Sequence, residues 1–392
     1  MRVLVVHNRY RAAVPSGENR VVDAEIAALA AAGVDVGTYF RDSDDIAEYG
    51  LVAKVGVAVR PVYSAPDVRE FRNRLRSFRP DVVHLHNPYP LISPAVVRVA
   101  RAEGVPVVQT VHNVRHACVA GTFFRAGAVC EDCRGRTVPT PAVRHGCYRG
   151  SRLQTVPMAV AAVVHRSTWS LVDRYLPVSD YLAGVLESTG VPRARITVKP
   201  NGVADPGAPT PPGDGFLFCG RLDPEKGLGL LLDVWRGLGL DASLTIAGNG
   251  PLRPEVEAAA ADPTANVRDV GRLDAAGVQA ALRAHAVAVV PTLCLEGMGL
   301  AAVEAFAAGR AVIATDMGGL PEVTAGLGWT IPPDAAALAT ALRAAHADRA
   351  AVEEFGRAGR ARYVERYRAD DMLACLTATY ESVVVSRTPS GR

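Results

Sequence analysis

The stretch Phe216-Leu217-Phe218-Cys219-Gly220-Arg221-Leu222-Asp223-Pro224-Glu225-Lys226-Gly227-Leu228 reads as a short apolar strand that breaks at glycine into a charged turn and then enters a helix. Helical spacing follows from Leu228 to Trp235, and the apolar run Leu244 to Ala247 makes the next strand. The alternation continues through helix Pro254 to Ala261, strand Val267 to Val270 and helix Ala275 to His285. After these come strand Val287 to Val290, helix Leu300 to Ala308, strand Ala311 to Ala314 and a helical tail from Asp334 to near Val385. Strands alternating with helices predict a parallel sheet with helices on both faces.

The first half repeats the pattern. Strands are expected at Val3 to Val6, Val34 to Phe40, Asp81 to His86 and Val107 to Val111, and helices at Asn19 to Ala32, Arg69 to Phe78 and Pro94 to Glu103. Residues 118–152 form an insertion rich in Gly, Pro, Cys and Arg. Helix Met158 to Tyr175, a helix capped by Ser179 and strand Ile196 to Val198 follow it. Val203 to Gly215, with four prolines and three glycines, is a linker. The expected organisation is therefore two doubly wound α/β domains, 1–200 and 201–369, and a segment 370–392. Ligands bind beyond the carboxyl ends of the strands in such sheets.

A chain of 392 residues, 49% hydrophobic and 21% charged, suits two or three folded domains and excludes disorder, collagen and coiled coil as its theme. The net charge of +3 gives no general field for nucleic acid. Only Lys54, Lys199 and Lys226 are lysines, which draws attention to each. The longest apolar run, Val156 to Val164, is interrupted by Pro157 and is far short of the roughly 20 residues that span a bilayer. Met1 to His7 reads as a buried strand rather than a signal peptide, so the expectation is a cytoplasmic protein whose cysteines stay reduced or bind metal.

Four segments carry chemistry. Glu296-Gly297-Met298-Gly299-Leu300, with Glu304 eight residues after the first carboxylate, sets two acids around a glycine-rich helix start whose N–H groups suit a phosphate or sugar oxygen. Arg221 and Lys226, at a strand end and the next helix start, can neutralise a diphosphate. Asp316 to Glu322 offers adjacent glycines in a strand-end loop. In the first half, Gly17 lies between strand and helix, and His112 and His86 close two strands. Asp42-Ser43-Asp44 has the DxD spacing of metal-dependent sugar transferases of another architecture, but reads here as a solvated loop. Cys118, Cys130, Cys133 and Cys147 have spacing that suits a closed structural zinc site, with unligated or redox-active thiols as the alternative. From Arg134 to Leu171 there are six arginines and no acidic residue, a surface for an anionic acceptor or for peripheral contact with lipid headgroups.

Taken in order, Gly17, His112, Pro200-Asn201-Gly202-Val203, Arg221, Lys226, Glu296 with Glu304, and Gly318-Gly319-Leu320-Pro321-Glu322 resemble the retaining glycosyltransferases of family 4. The resemblance spans nearly the whole chain and implies the GT-B fold, two Rossmann-like domains facing across a cleft, with the last helix crossing back to the first domain. It also implies a nucleotide-sugar donor and no catalytic metal. Glu304 would hold the ribose hydroxyls, Arg221 and Lys226 the diphosphate, Glu296 and the backbone from Gly297 through Met298 and Gly299 to Leu300 the donor sugar, and His112 the sugar as well. Met298 stands where the family usually has phenylalanine, and the first loop has one glycine where a pair is common. Uridine diphosphate sugars are the favoured donors and guanosine diphosphate mannose the next. Acceptors that fit are a cell-surface glycan, its lipid-linked precursor, or a small natural product such as an aminocyclitol. A nucleotide-sugar epimerase of the same fold is the rival enzyme, and a zinc-ribbon nucleic-acid-binding protein the rival of another kind.

Overall fold

The computed structural model describes residues 1–12, 16–50 and 56–386, so Pro15 of the first loop and Lys54 lie outside the described residues. Two compact units emerge: Met1–Phe123 with Glu131–Lys199 and Met372–Arg392, and Phe124–Cys130 with Pro200–Asp371.

In the first unit, β1 (Arg2–Arg9), β2 (Asp35–Asp42), β3 (Val82–Leu85) and β4 (Val107–Val111) form a parallel sheet. The two-residue strands β5 (Phe124–Arg125) and β6 (Ala128–Val129), which group with the second unit, pair as a hairpin, and β7 (Arg174–Pro177) completes the first unit's sheet in the order β2-β1-β3-β4-β7. Val3 to Val6 and Val82 to Leu85 are buried throughout, as strands covered on both faces must be. Helix Gly17–Ala31 begins at Ser16, whose hydroxyl accepts from the Asn19 N–H, and Ser179 caps helix Asp180–Ser188 in the same way. One face of the sheet packs on Phe71, Leu75 and Val96. On the other, Val3, Val5, Val22 and Leu29 meet Leu376, Tyr380 and Val383 from the last helix, Ala369–Val385.

Three expectations change here. The segment read as one helix from Met158 to Tyr175 is helix Arg152–Val164, the short helix Arg166–Trp169 and then β7. The edge position of β7 tolerates Pro177, which has no N–H to donate. Ile196 to Val198 does not form a full strand: beside the single bridge from Tyr175 to Ile196, the Thr197 N–H donates to the Tyr175 oxygen and the Lys199 N–H to the Pro177 oxygen, each at 2.9 Å. The insertion holds the hairpin β5–β6 and helix Thr140–His145.

The second unit has six parallel strands in the order β10-β9-β8-β11-β12-β13. These are β8 (Phe216–Cys219), β9 (Leu244–Ala247), β10 (Val267–Gly271), β11 (Val287–Val290), β12 (Ala311–Thr315) and β13 (Trp329–Ile331). The chain builds outward from β8 in one direction through β10, then returns to β8's other side with β11. The carboxyl ends of β8 and β11 therefore form the switch point where ligands bind in doubly wound sheets. Strand β13, only three residues long and half buried at the edge, has no counterpart in the sequence reading. Among the described residues no helix is long and apolar enough to cross a membrane.

The hydroxyl of Tyr380 meets His84 Nδ1 at 2.6 Å inside the first unit. Tyr380→Phe should cost about 1–3 kcal/mol by stranding that nitrogen, and Leu376→Ala about 2–5 kcal/mol by opening a cavity. Urea unfolding followed by tryptophan fluorescence checks both, and unchanged midpoints would show that the last helix is not part of this unit's core.

Candidate functional site

At the switch point of the second unit three loops pack backbone against backbone. The turn after β8 closes at Gly227 with φ of +71°, and a Cβ there would lie 1.8 Å from the Pro291 carbonyl oxygen. Glu225 accepts at its backbone oxygen from the Leu293 N–H (2.9 Å) and the Thr292 hydroxyl (3.0 Å), which fastens this turn to the segment after β11. The segment after β12 joins from the other side. Glu296 bridges Gly318 and accepts from the Gly319 N–H at 2.8 Å, while a Cβ on Gly318 would come within 2.4 Å of the Glu296 oxygen.

These constraints bring the predicted charged residues together. Lys226 Nζ donates to Glu296 Oε1 at 2.6 Å. Arg221 binds Asp223 at 2.5 Å and Glu225 at 2.7 Å. Burial by itself would raise the Glu296 carboxyl, but the Lys226 charge and the hydrogen bonds from Lys226 and Thr292 outweigh it and hold it below the usual carboxylate range. For Lys226 burial works against the charge, and Glu296 more than compensates, so the ammonium is held above its ordinary value. Both groups are ionised at neutral pH. The glycine-rich entry also forms: Gly299, at φ +89°, precedes helix Leu300–Ala307 with no side chain capping it, and Glu304 lies buried one turn in. Met298 is turned inward, its sulfur accepting from the Asn201 N–H at 3.3 Å, so of this residue only the backbone is left for a ligand.

The first unit holds a second polar group around His112. Its Nε2 lies 3.0 Å from His86 Nδ1, with the rings stacked at 5.3 Å. Behind them, Glu25 sits 3.6 Å from His86 Nε2 and 2.5 Å from Nζ of Lys199, a lysine only 1% exposed. Burial, then the neighbouring histidines, hold His86 and His112 well below the usual histidine value, and both are neutral at pH 7. Glu25 Oε2 lies beyond hydrogen-bond reach of His86, so the stacked pair shares a single hydrogen bond in which one ring donates and the other accepts.

Glu25, His84 and His86 are the one group among the described residues with three potential metal ligands in reach of a shared ion. Lys199 already supplies the positive charge there, and both ring nitrogens of His84 are engaged, by Thr110 (2.7 Å) and Tyr380. The four insertion cysteines form no such group among the described residues. Cys133 and Cys147 pack partly buried beside Tyr89, Val119, Ala142, Met158 and Ala161. The Asp42-Ser43-Asp44 segment is spent on local structure: the Ser43 hydroxyl donates to the Arg9 oxygen (2.7 Å), and Asp42 accepts from the Asp44 N–H (2.9 Å).

A cavity of about 310 Å³ opens in the first unit beside His112. Glu18 and Arg115 line its polar end and Trp169 and Met158 its apolar end, none of which the sequence reading singled out. Glu18 follows Gly17 in the first turn of its helix; burial pushes its carboxyl up to about 7, against the pull of Arg115. The signals in the sequence were the positions themselves, one residue after Gly17 and three after His112.

Two parallel α/β units, one of them carrying a cation pair and a glycine-rich helix entry at its switch point, define the GT-B class of glycosyltransferases. A family model described as glycosyltransferase family 4 matches residues 15–205, and one described as glycosyl transferases group 1 matches residues 213–348. Glycogen synthase of Mycobacterium tuberculosis is 29% identical over 430 residues, which cover 99% of this chain and 95% of that protein. Phosphatidyl-myo-inositol mannosyltransferase of Mycobacterium leprae is 30% identical over 319 residues, 78% of this chain and 74% of its own. Among solved structures, HepE of Anabaena in complex with UDP-glucose has the same fold, with a TM-score of 0.67 at 13% identity over 97% of this chain and 100% of that one. The chain belongs to glycosyltransferase family 4.

The buried histidines give the protein an acid-labile half. His7, His84 and His116 are lowered by burial to about 4, and His86 and His112 are lowered too. An unfolded chain takes up protons on these residues near pH 6.5, so their stabilisation is complete above that pH and is lost as pH falls toward 4. Glu18 acts oppositely, its contribution fading as pH rises through about 7, and burial raises Asp173 as well, but these are two groups against six histidines lowered by burial once His165 is included. Tm should fall by at least about 5 °C between pH 7.5 and pH 5. A flat Tm over that range would show that the histidines are not held neutral.

Proposed function

We propose that this glycosyltransferase moves a hexose or N-acetylhexosamine from a nucleotide diphosphate sugar to a hydroxyl acceptor with retention at the anomeric carbon. The observation that carries the reading is the Lys226 ammonium, charged, paired with Glu296 and flanked by Arg221 at the switch point of the second unit. A uridine diphosphate sugar is the favoured donor, supported by the likeness to a protein solved with UDP-glucose, and guanosine diphosphate mannose is the next, supported by the mannosyltransferase relative. The acceptor is a cell-surface glycan, a lipid-linked precursor or a small natural product, and the reading keeps the chain in the cytoplasm.

In this mechanism Glu304 takes the ribose hydroxyls, and Glu296 with the backbone of Gly297 to Leu300 takes the donor sugar. His112 presents a neutral imidazole to the cavity of the first unit. The bond from the anomeric carbon to the diphosphate oxygen breaks as the acceptor oxygen bonds to the same face, and the departing phosphate oxygen receives the acceptor's proton. Arg221 and Lys226 stabilise the charge that grows on the diphosphate, so the protein's share is positioning and electrostatics. No metal enters this scheme, because the two cations supply the positive charge.

Thermal midpoints with a panel of nucleotide sugars test the donor site without an acceptor. A donor at about 100 times its Kd should stabilise the protein by about 2.7 kcal/mol, and Glu304→Ala should abolish the shift. No shift with any nucleotide sugar would overturn the donor assignment, and isomerised donor in a product assay would mean an epimerase. With donor and acceptor in hand, Lys226→Ala should lower kcat by about 10²–10³ with a far smaller change in donor affinity. Loss of affinity alone would reduce Lys226 to ground-state binding.

A further inference from the structure

Helix Arg152–Val164 of the first unit is apolar on both sides. Met158, Ala159 and Ala161 face inward and are buried. Leu153 is 83% exposed, Val156 44%, Val160 42%, Val163 37% and Val164 47%. Those five positions follow the i, i+3, i+7, i+10, i+11 spacing that puts side chains along one helical stripe. Single exposed apolar residues are ordinary on a protein surface, but a continuous stripe three turns long is not. At the helix's carboxyl end, Val59 and Tyr63, each 55% exposed, flank Val62, whose carbonyl lies 2.7 Å from His165 Nε2.

Arginines surround the stripe. Arg144 lies on the preceding helix, Arg149 and Arg152 stand at the entry and Arg166 directly follows the exit, all exposed. Among the described residues none of these four is in an ion pair, and no acidic residue occurs between Arg134 and Leu171. An uncovered aliphatic stripe framed by uncompensated guanidinium groups matches a surface that presents acyl chains below a layer of anionic headgroups. A second copy of the chain does not answer this pattern, since a two-fold contact would set the arginines against their own copies with no carboxylate between them.

We propose that helix Arg152–Val164 lies in the plane of an anionic membrane surface, with Leu153, Val156, Val160, Val163 and Val164 inserted and Arg149, Arg152 and Arg166 on the headgroups. At 13 residues, about 20 Å, the helix is too short to span a bilayer and long enough to lie on one. Its other side reaches the cavity beside His112 through Met158 and Ala162, and Arg166 lines that cavity as well. A hydroxyl acceptor carried on a lipid is therefore delivered along the helix to that cavity, a step that rests on the transferase reading, whereas the docking itself does not.

Co-sedimentation of the full chain with phosphatidylcholine vesicles, with and without phosphatidylglycerol, tests the docking. Two triple variants are compared at these exposed positions: Val156→Gln with Val160→Gln and Val163→Gln, and Arg149→Gln with Arg152→Gln and Arg166→Gln. Wild type should bind the phosphatidylglycerol vesicles and release them at high salt. Each arginine removed should weaken binding about five-fold, so the basic triple loses about 100-fold. The valine triple should lose at least about 10-fold. Wild type that stays in the supernatant at low salt overturns the proposal, as does a valine triple that binds like wild type. A dimer that the valine triple dissolves would make a second copy the occupant instead. Tm and the nucleotide-sugar shift, measured on the same variants, should not change, so loss of vesicle binding with the shift intact bears on docking alone.

Discussion

The contact between Lys226 and Glu296 organises the second unit's functional end. It joins the turn after β8 to the segment after β11, the two strands that flank the switch point, and it forms only because the chains beneath it approach to backbone distance. Gly227 against Pro291 and Gly318 against Glu296 are the places where a side chain of any size would hold the loops apart. The glycines set the spacing and the ion pair fixes the charges on it. Asp223, Glu225 and Glu296 answer Arg221 and Lys226 from within the chain, so the site keeps two half-buried cations without an excess of positive charge.

The first unit uses a different device. Its polar centre is a stack of neutral imidazoles closed off by one buried ion pair, Lys199 with Glu25. The pair holds Glu25 beside His86, and His86 and His112 share one hydrogen bond in which one ring donates and the other accepts. Where the second unit presents charge, the first presents oriented hydrogen-bond groups and an amphipathic cavity.

Much of this is legible in the sequence because both sheets are parallel and buried, which writes strands as unbroken apolar runs. Val107–Val111, Phe216–Cys219, Leu244–Ala247 and Val287–Val290 have the bounds that those runs suggest. The misreadings lie where that signature fades. The edge strands β7 and β13 are short, and β7 follows directly on helical spacing, so periodicity alone runs it into the preceding helix. At the candidate site, strand-end position and the scarcity of lysine pick out Arg221, Lys226, Glu296 and Glu304, because local chain geometry decides their convergence. Lysine scarcity marks Lys199 too, but its pairing with Glu25, like the meeting of Glu18 and Arg115, depends on elements distant in sequence coming together.

The contribution of the last helix to the first unit bears on how the protein is made. Leu376, Tyr380 and Val383 fill one face of a sheet whose first strand starts at Arg2, so that core joins Val3 and Val5 to residues far along the chain. A ribosome releases the second unit's six strands, ending at Ile331, before it releases the residues that complete the first. The usual order, in which the amino-terminal domain folds first during synthesis, is thereby reversed. The early half of the chain keeps an apolar sheet face open until Leu376 to Val383 have been made, and contacts so distant in sequence are the kind that form slowly.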